Sequence, residues 1–585
     1  MRHETAKAEE EEEISREREN TEIIPVKGKR TAARIMLAAF ARRGVRTAFG
    51  IPGGFISPIF DAIADVPAIQ LITTRHEGMA AFCALGHAIA TGEPALVLTT
   101  SGPGITNAIT GIAGANVESV PLIFIGGEVA THASSRGSIQ DTSQNGIDSV
   151  AMLRTATRWS ARIESSAMVR GAAERAYDLA KGPHAGAVFL SLPLDVGNAP
   201  SHSLLPLAPR HSRAPAPPDS GACTELATRL ERAKRPLIIA GSGARGATKE
   251  LFELAHRLSI PVVTTPHAKG IFPETDPLHL GIIGLGGHPS AVSYVMSNPD
   301  VVCIVGSRLG DLATDAWALP LCGSEATIQI DRDPMLIGRN YPVTLGIVAD
   351  ARAALRATLE NVPKNLGRPV RTTGIQRHRP ADALSDSAPV KPARVLSALQ
   401  RAFPDAYWLA DQGEHCAFAL HYLQIEDPDR FRSLLGWASM GSGFGAAIGF
   451  KHARPDDRVI CVCGDGGFLM HAGEIVTCVE QGIGIMLVVF NDGRLNMVHH
   501  GFQAVFGRRP EALPSHVADI AQVATALGAK GVRIDSPDQL SPKKLERLAE
   551  YRGPIVLDVR IDPNYALSAD SRSASLRSAA FGGAR

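Results

Sequence analysis

The sequence holds no run of about 18 apolar residues, the length a membrane-crossing helix needs, and no apolar segment near its start. Neither a transmembrane anchor nor a secretory leader is expected, and a cytoplasmic location follows by default. Charge of one sign is not in excess either. Lys and Arg number 60 against 59 Asp and Glu, a net charge of +1. No basic face is evident, so nucleic acid is not an expected partner. The eight cysteines are scattered, and no spacing among them reads as a zinc site. Cys461 and Cys463 lie two apart on one face of an expected strand and read as core. A reducing compartment is the simplest setting. No convincing short repeat is present.

What the chain does have is length and an apolar share of 45%, with 20% charged residues. A chain of 585 residues exceeds one core, and roughly two to four domains are expected. The stretch with most chemical content runs from Val459 to Asn496. An apolar run, Val459 to Cys463, reads as a buried parallel strand and is broken by Gly464-Asp465-Gly466-Gly467. An amphipathic segment follows to about Glu480. A second apolar run, Ile485 to Phe490, ends at Asn491-Asp492-Gly493. This is one strand–helix–strand unit with polar glycine turns at the carboxyl end of both strands, where ligands sit in open α/β sheets. Asp465 is an anionic oxygen ligand, Asn491 a neutral one, and Gly493 can add a backbone carbonyl. Mg²⁺ suits such hard oxygens and takes the rest of its shell from phosphate and water. Gly464, Gly466 and Gly467 let the backbone approach a diphosphate. An ordinary sheet with glycine turns is the alternative.

The expected fold is α/β, with three doubly wound parallel-sheet domains. The block 28–200 alternates helices and strands, with a helix from Thr31 to Arg43 and strands at Ile69 to Thr73, Ala95 to Thr99 and Pro121 to Ile125. A proline-bearing linker spans 201–220. The block 221–360 has strands at Pro236 to Ala240, Pro261 to Thr265, Val301 to Val305 and Thr327 to Ile330. A second linker spans 361–392, and the block 393–565 carries the diphosphate unit. The charged start, 1–27, reads as a disordered tail, and 566–585 as a mobile tail or a cover over a site. The first and third blocks share a layout of sheet edges with glycine turns.

Asp465 followed by Asn491 resembles the thiamin diphosphate signature, with Asp492 where a second asparagine is usual. The segments Arg75-His76-Glu77, Thr100 to Asn107 and Ser119 to Leu122 resemble the pyrimidine-binding domain of acetolactate synthase and its relatives, and the similarity extends from about Arg30 to Asp562. That family implies thiamin diphosphate and Mg²⁺. It also implies a homodimer or homotetramer with the active site at the subunit interface, where Glu77 of one copy meets the diphosphate site of another. Glu77 follows an apolar strand and opens an apolar helix, so a dry neighbourhood is expected. There it would hold the cofactor's aminopyrimidine in its reactive tautomer. Gly53 is counted among the cofactor-binding residues. The resemblance makes Gln140 an active-site glutamine, with Ile139 before it where Phe is usual. It makes Met440 the bulky residue under the cofactor and the carbonyl of Ala438 the acceptor for the pyrimidine amino group. Asp411 to His415 resembles the diphosphate-side loop, with Glu414 where glutamine is usual; a carboxylate there must point away. Gly241 to Gly246, Val305 to Arg308 and Gln329 to Asp333 resemble middle-domain loops that contact FAD in some synthases. Relatives that bind another nucleotide, or none, leave FAD open.

The implied reaction is decarboxylation of a 2-oxo acid, pyruvate or a small relative, and transfer of the acyl-anion equivalent to a second carbonyl. Simple decarboxylation, aldehyde ligation or lysis, and a catalytically silent paralogue are the rivals. Asn491 to Gly501 matches without gaps a synthase stretch ending in an acceptor-contacting tryptophan. Gly501, preceded by His499 and His500, stands in that place. Unless Phe502 or Phe506 swings in, a wider substrate pocket is expected.

Overall fold

The computed structural model describes residues 30–201, 217–364, 372, 374–509, 511 and 515–567. The charged start and most of the terminal segment, read above as tails, lie outside the described residues, as does most of the linker 201–220. Two compact units, 1–207 and 208–585, make up the chain. The first holds one six-stranded parallel sheet and the second holds two.

The first sheet comprises β1 (Thr47–Gly50), β2 (Gln70–Thr73), β3 (Ala95–Thr99), β4 (Leu122–Glu128), β5 (Trp159–Arg162) and β6 (Ala187–Pro193), in the order β2-β1-β3-β4-β6-β5. Its inner strands are buried along their whole length, which is why they read as continuous apolar runs and not as alternation. The chain steps from β1 outward to β2, then returns to β3 on the other side. That reversal opens a crevice at the carboxyl ends of β1 and β3. Helix α1 (Glu77–Thr91) follows β2 and helix α2 (Pro103–Val117) follows β3. They are rich in small residues and pack closely: a Cβ on Gly111 would lie 2.5 Å from that of Ala81.

The second unit's first sheet contains β7 (Leu237–Ala240), β8 (Val262–Thr264), β9 (His279–Ile282), β10 (Val301–Val305), β11 (Ala326–Asp331) and β12 (Leu345–Val348). Its order, β12-β11-β10-β7-β8-β9, is the dinucleotide-fold arrangement. The other sheet contains β13 (Tyr407–Ala410), β14 (Phe431–Ser433), β15 (Val459–Gly464), β16 (Met486–Asn491), β17 (Lys530–Ile534) and β18 (Ile555–Arg560). Its order, β14-β13-β15-β16-β18-β17, repeats that of the first unit strand for strand, so the shared layout extends to topology. The helices that matter are α3 (Glu414–Tyr422), α4 (Ser442–Ala453), α5 (Asp465–His471), α6 (Glu474–Glu480) and α7 (Asn496–Phe506). The single amphipathic segment expected between β15 and β16 is two helices. Ile475 and Val476 bond three residues back, to Ala472 and Gly473, and this tighter turn interrupts the helical ladder.

The described part of the expected linker 361–392 is pinned to the fold. The backbone N–H of His378 donates to His421 Nε2 at 2.9 Å, Arg377 donates to the His421 carbonyl at 3.1 Å, and Val390 is buried. All eight cysteines are free thiols, and Cys461 and Cys463 lie fully buried in β15. Among the described residues, no helix is long and apolar enough to cross a membrane.

Candidate active site

In the third sheet the chain reverses between β13 and β15, so the turns Asp411-Gln412-Gly413 and Gly464-Asp465-Gly466-Gly467 face one crevice. A cavity of about 250 Å³ occupies it. Gln412, Glu414, His415, Ala438, Met440, Gly464, Asp465, Gly466, Gly467, Asp492 and Arg494 are among its walls. Asp465 is buried, and its carboxylate accepts from the backbone N–H of Gly466 and of Gly493, both at 2.7 Å. Burial nevertheless pushes its carboxyl above the usual range. Asp492 turns into the same cavity, not to bulk solvent. Burial, then the Asp465 charge, pushes its carboxyl up to about 7. Two crowded carboxyls with raised values form a place where a cation is favoured.

Asn491 lies at the end of β16, one step beyond the register pair Gly464–Phe490. Its Nδ2 donates to Asp558 at 2.7 Å and to the Ala518 carbonyl at 3.0 Å, which fixes the amide orientation. Its Oδ1 is then buried without a protein partner. Gln412 Nε2, His415 Nε2 and Arg494 Nη1 are likewise buried without one. Buried polar atoms are normally paired, so an unpaired acceptor close to Asp465, two unpaired donors and one unpaired imidazole nitrogen around one cavity mark a polar ligand site. Among the described residues, no three His, Cys, Asp or Glu side chains form a metal cage. The residues present instead suit an ion that borrows most of its shell from a ligand. The neighbouring backbone fits tightly. Gly413 has φ +151, and a Cβ there would lie 2.4 Å from the His415 ring. Burial lowers the His415 imidazole to about 4, so it is neutral.

Sequence reasoning gave Asp411 no role, and the structure gives it one. Fully buried, it accepts from the backbone N–H of Gly441 and of Gly443, each at 2.9 Å. That bracket ties the Trp437–Gly441 turn to the end of β13. Ala438 is held at φ +54, and Met440 sits with its Cε near Gly466, 3.1 Å from where a Cβ would stand. Asp411 stands three residues before the Glu414-His415 pair in the loop that resembles the diphosphate-side one, but only the return of the chain to Gly441 reveals this role. Arg494 was missed for the same reason.

Glu414, expected to turn away from the diphosphate, still lines this cavity. Its carboxylate meets His500 Nδ1 at 2.9 Å and 3.1 Å. His500 and Gly501 line a larger neighbouring cavity of about 730 Å³, which shares Leu285, Glu414 and Met497 with the first. Neither Phe502 nor Phe506 lines it; their rings pair with each other at 5.3 Å. His499 lies outside both linings.

In the first unit, Glu77 opens α1 beside the His76 cap and accepts from Asn107 Nδ2 at 2.9 Å. It is half-buried there, not enclosed. A Cβ on Gly53 would lie 2.5 Å from the Thr100 side chain, so only glycine lets these two loops meet. Gln140 has φ +55; its carbonyl accepts from Ser101 at 2.6 Å and its side chain lies over Gly102. Ile139 and Ile147 on the same loop are 76% and 67% exposed.

In the central sheet the glycine-spaced loop is spent on packing. Gly243 donates to the Gly306 carbonyl at 2.9 Å, and a Cβ on Gly241 would lie 2.2 Å from that oxygen. Arg245 is held by the carbonyls of Pro428 and His267.

Three family models match the chain: thiamine pyrophosphate enzyme, N-terminal TPP binding domain, at residues 30–152; central domain, at 223–358; and C-terminal TPP binding domain, at 411–559. The chain is 33% identical to the "Putative acetolactate synthase large subunit IlvB2" of Mycobacterium tuberculosis, over 90% of this chain and 97% of that protein. It is 33% identical to the "Probable acetolactate synthase large subunit" of Methanocaldococcus jannaschii, over 92% of each. It is 31% identical to the acetolactate synthase isozyme 3 large subunit of Escherichia coli, over 91% of this chain and 95% of that one.

Proposed function

From the premise that this chain belongs to the thiamine pyrophosphate enzymes of the acetolactate synthase type, we propose that it is a Mg²⁺-dependent carboligase. It decarboxylates a 2-oxo acid and joins the remaining fragment to a carbonyl acceptor larger than pyruvate. The observation that carries the diphosphate and metal site is the buried, unpaired Asn491 Oδ1 next to Asp465. Asp465, Asn491 Oδ1 and the Gly493 carbonyl would hold Mg²⁺, with diphosphate and water oxygens completing the shell. Gln412 and Arg494 would donate to the diphosphate through the nitrogens that lack a protein partner, beside the neutral His415 ring.

When bound, thiamin diphosphate supplies an acidic carbon that adds to the 2-oxo acid and lets CO₂ leave. Met440 would support its ring system, and Ala438, fixed by the Asp411 bracket, would offer its carbonyl to the pyrimidine amino group. Glu77 holds a proton against the pyrimidine ring nitrogen. Being half-buried in its own unit, it is proposed to serve the cavity of a second copy, in a homodimer or homotetramer. The exposed Ile139 and Ile147 beside Gln140 support a covered face there, since large apolar side chains in one loop favour burial. The central loops that resemble FAD-contacting ones offer no unpaired buried side-chain atom among the described residues, and no step is assigned to FAD.

The larger acceptor is read from Gly501, which lines the 730 Å³ cavity and adds no side chain to it. The test is mass-spectrometric product analysis with pyruvate alone and with pyruvate plus bulkier aldehydes or oxo acids, with CO₂ release recorded. Mixed products should dominate in the wild type, and Gly501→Trp should shift the balance toward acetolactate. Rapid, exclusive acetolactate formation, indifferent to that substitution, would refute the acceptor assignment.

A further inference from the structure

The Glu414–His500 pair stands at the seam of the two cavities, on side chains that the cofactor site does not use. Glu414 comes from the first turn of α3 and lines both cavities. His500 comes from α7 and lines the larger one. With Nδ1 engaged by the carboxylate, Nε2 is the ring atom left to carry a proton. Where a carboxylate binds one imidazole nitrogen, it fixes the tautomer and supports the charged ring, as in general acid–base sites.

We propose that His500 is the general acid toward the carbonyl acceptor and that Glu414 is its positioning residue. This rests on the carboligase reading above and names the group in the larger cavity that acts on the second substrate. As the new carbon–carbon bond forms at the acceptor carbonyl carbon, the π electron pair moves onto oxygen. That oxygen takes the proton from His500 Nε2, leaving a neutral imidazole and a hydroxyl group. Water in the cavity reprotonates the ring before the next turnover. No oxidant or reductant is involved.

The electrostatic setting agrees. The Glu414 hydrogen bond is the largest influence on His500 and raises its pKa; burial opposes, Asp492 adds to the rise, and Arg509 detracts. His499, the titratable neighbour on the same helix, has its pKa lowered by burial and by Arg509 and Arg494. Across the cavity stand Asp315, pushed up to about 6 by burial, with His288 and His378. An imidazolium acid works below its own pKa and fails as pH rises through it. Glu414→Gln removes the main support, so the alkaline limb of ligation should move to lower pH, by about 0.5–1 unit.

The experiment uses the full chain with thiamin diphosphate and Mg²⁺, pyruvate as donor and benzaldehyde as probe acceptor. CO₂ release and ligated product are measured in the same samples from pH 5.5 to 9. His500→Gln should lower the ratio of ligated product to CO₂ by about 10²-fold, and Glu414→Gln should shift the pH limb as stated. A second readout needs no turnover. In ¹³C-histidine NMR of the full chain, with the His500 signal assigned through His500→Gln, the ring should titrate above an ordinary histidine and fall in Glu414→Gln. An unchanged product-to-CO₂ ratio in His500→Gln, in a wild type that does ligate, overturns the acid role and leaves the carboligase reading standing. No CO₂ from any 2-oxo acid overturns the reading and the acid role together. A His500 titration indifferent to Glu414→Gln overturns the pair itself.

Discussion

Asp465 shows how one residue can be costly for the fold and still be retained. Its carboxylate is buried, accepts two backbone N–H groups and has a raised pKa, so without a cation its charged form is only partly compensated. Asp465→Ala should therefore leave the fold at least as stable as before. It should weaken Mg²⁺-dependent binding of thiamin diphosphate by about 10–100-fold or more, since even outer-shell changes cost that much in metal affinity. Titration calorimetry with and without Mg²⁺ measures it, and an unchanged affinity would remove Asp465 from the site. At this scale the sequence was legible where a residue type and its spacing were both unusual: Asp465, Asn491 and Gly493 fall at one sheet edge, and Glu77 opens a helix. Asp411, Arg494 and the Glu414–His500 pair were not legible as partners. Their roles come from contacts 30 and 86 residues apart, as in Gly441 to Asp411 and His500 to Glu414, and no local pattern encodes such a distance.

Among elements, the strands were easiest to read, because a parallel strand covered on both faces is a short apolar run between glycine turns. Val301–Val305 and Ala95–Thr99 appear with the expected ends. The α5–α6 break was hidden because the apolar periodicity continues across it while the hydrogen bonds do not. The described part of the expected linker after 361 is held against the fold in a way its composition does not show. Proline and polar residues look like a spacer, yet Arg377 and His378 satisfy the end of α3. That helix end is also served by Lys269. Fully buried, its Nζ donates to the carbonyls of Leu420 and Leu423 at 2.8 Å and 2.7 Å and to Glu274 at 2.7 Å. Those carbonyls are the ones a helix terminus leaves unpaired, and Glu274 in turn accepts from the Ile425 N–H at 3.3 Å. Lys269→Met would strand both carbonyls and leave the buried Glu274 carboxylate only Arg377, at 3.5 Å, and the Ile425 N–H, costing about 3 kcal/mol. Lys269→Met with Glu274→Gln should recover part of the loss by removing the stranded charge. Urea unfolding of the wild type and the two variants gives the comparison. A single variant as stable as the wild type would show that the pair is not what secures α3.

On the scale of the whole molecule, the two units should respond differently to acid. The second unit buries several imidazoles in neutral form. Burial holds His279 down to about 3 and His415 and His421 to about 4, and keeps His288 well below its ordinary value. A histidine whose folded pKa lies below its unfolded one, about 6.5, contributes fully above that pH and loses its contribution as pH falls toward the folded value. His279, His415 and His421 lose their contribution across that window, and His288 acts in the same direction. Asp411 and Asp492, pushed up to about 6 and about 7 by burial, act in the opposite sense, because the fold favours their protonated form. Asp315, Asp331 and Asp465 are raised as well and offset part of the histidine loss; the four histidines are buried more deeply than these three carboxyls, and the loss prevails between about pH 6.5 and 4. In the first unit burial raises Glu128 instead, so falling pH favours that group's folded form. Lowering the pH from 7.5 to 5 should thus open the second unit first. Hydrogen exchange, corrected for intrinsic rates, should show α3 losing protection while α1 keeps it. Simultaneous loss in both helices, or loss in α1 first, would mean that the buried histidines do not set the acid limit of this molecule.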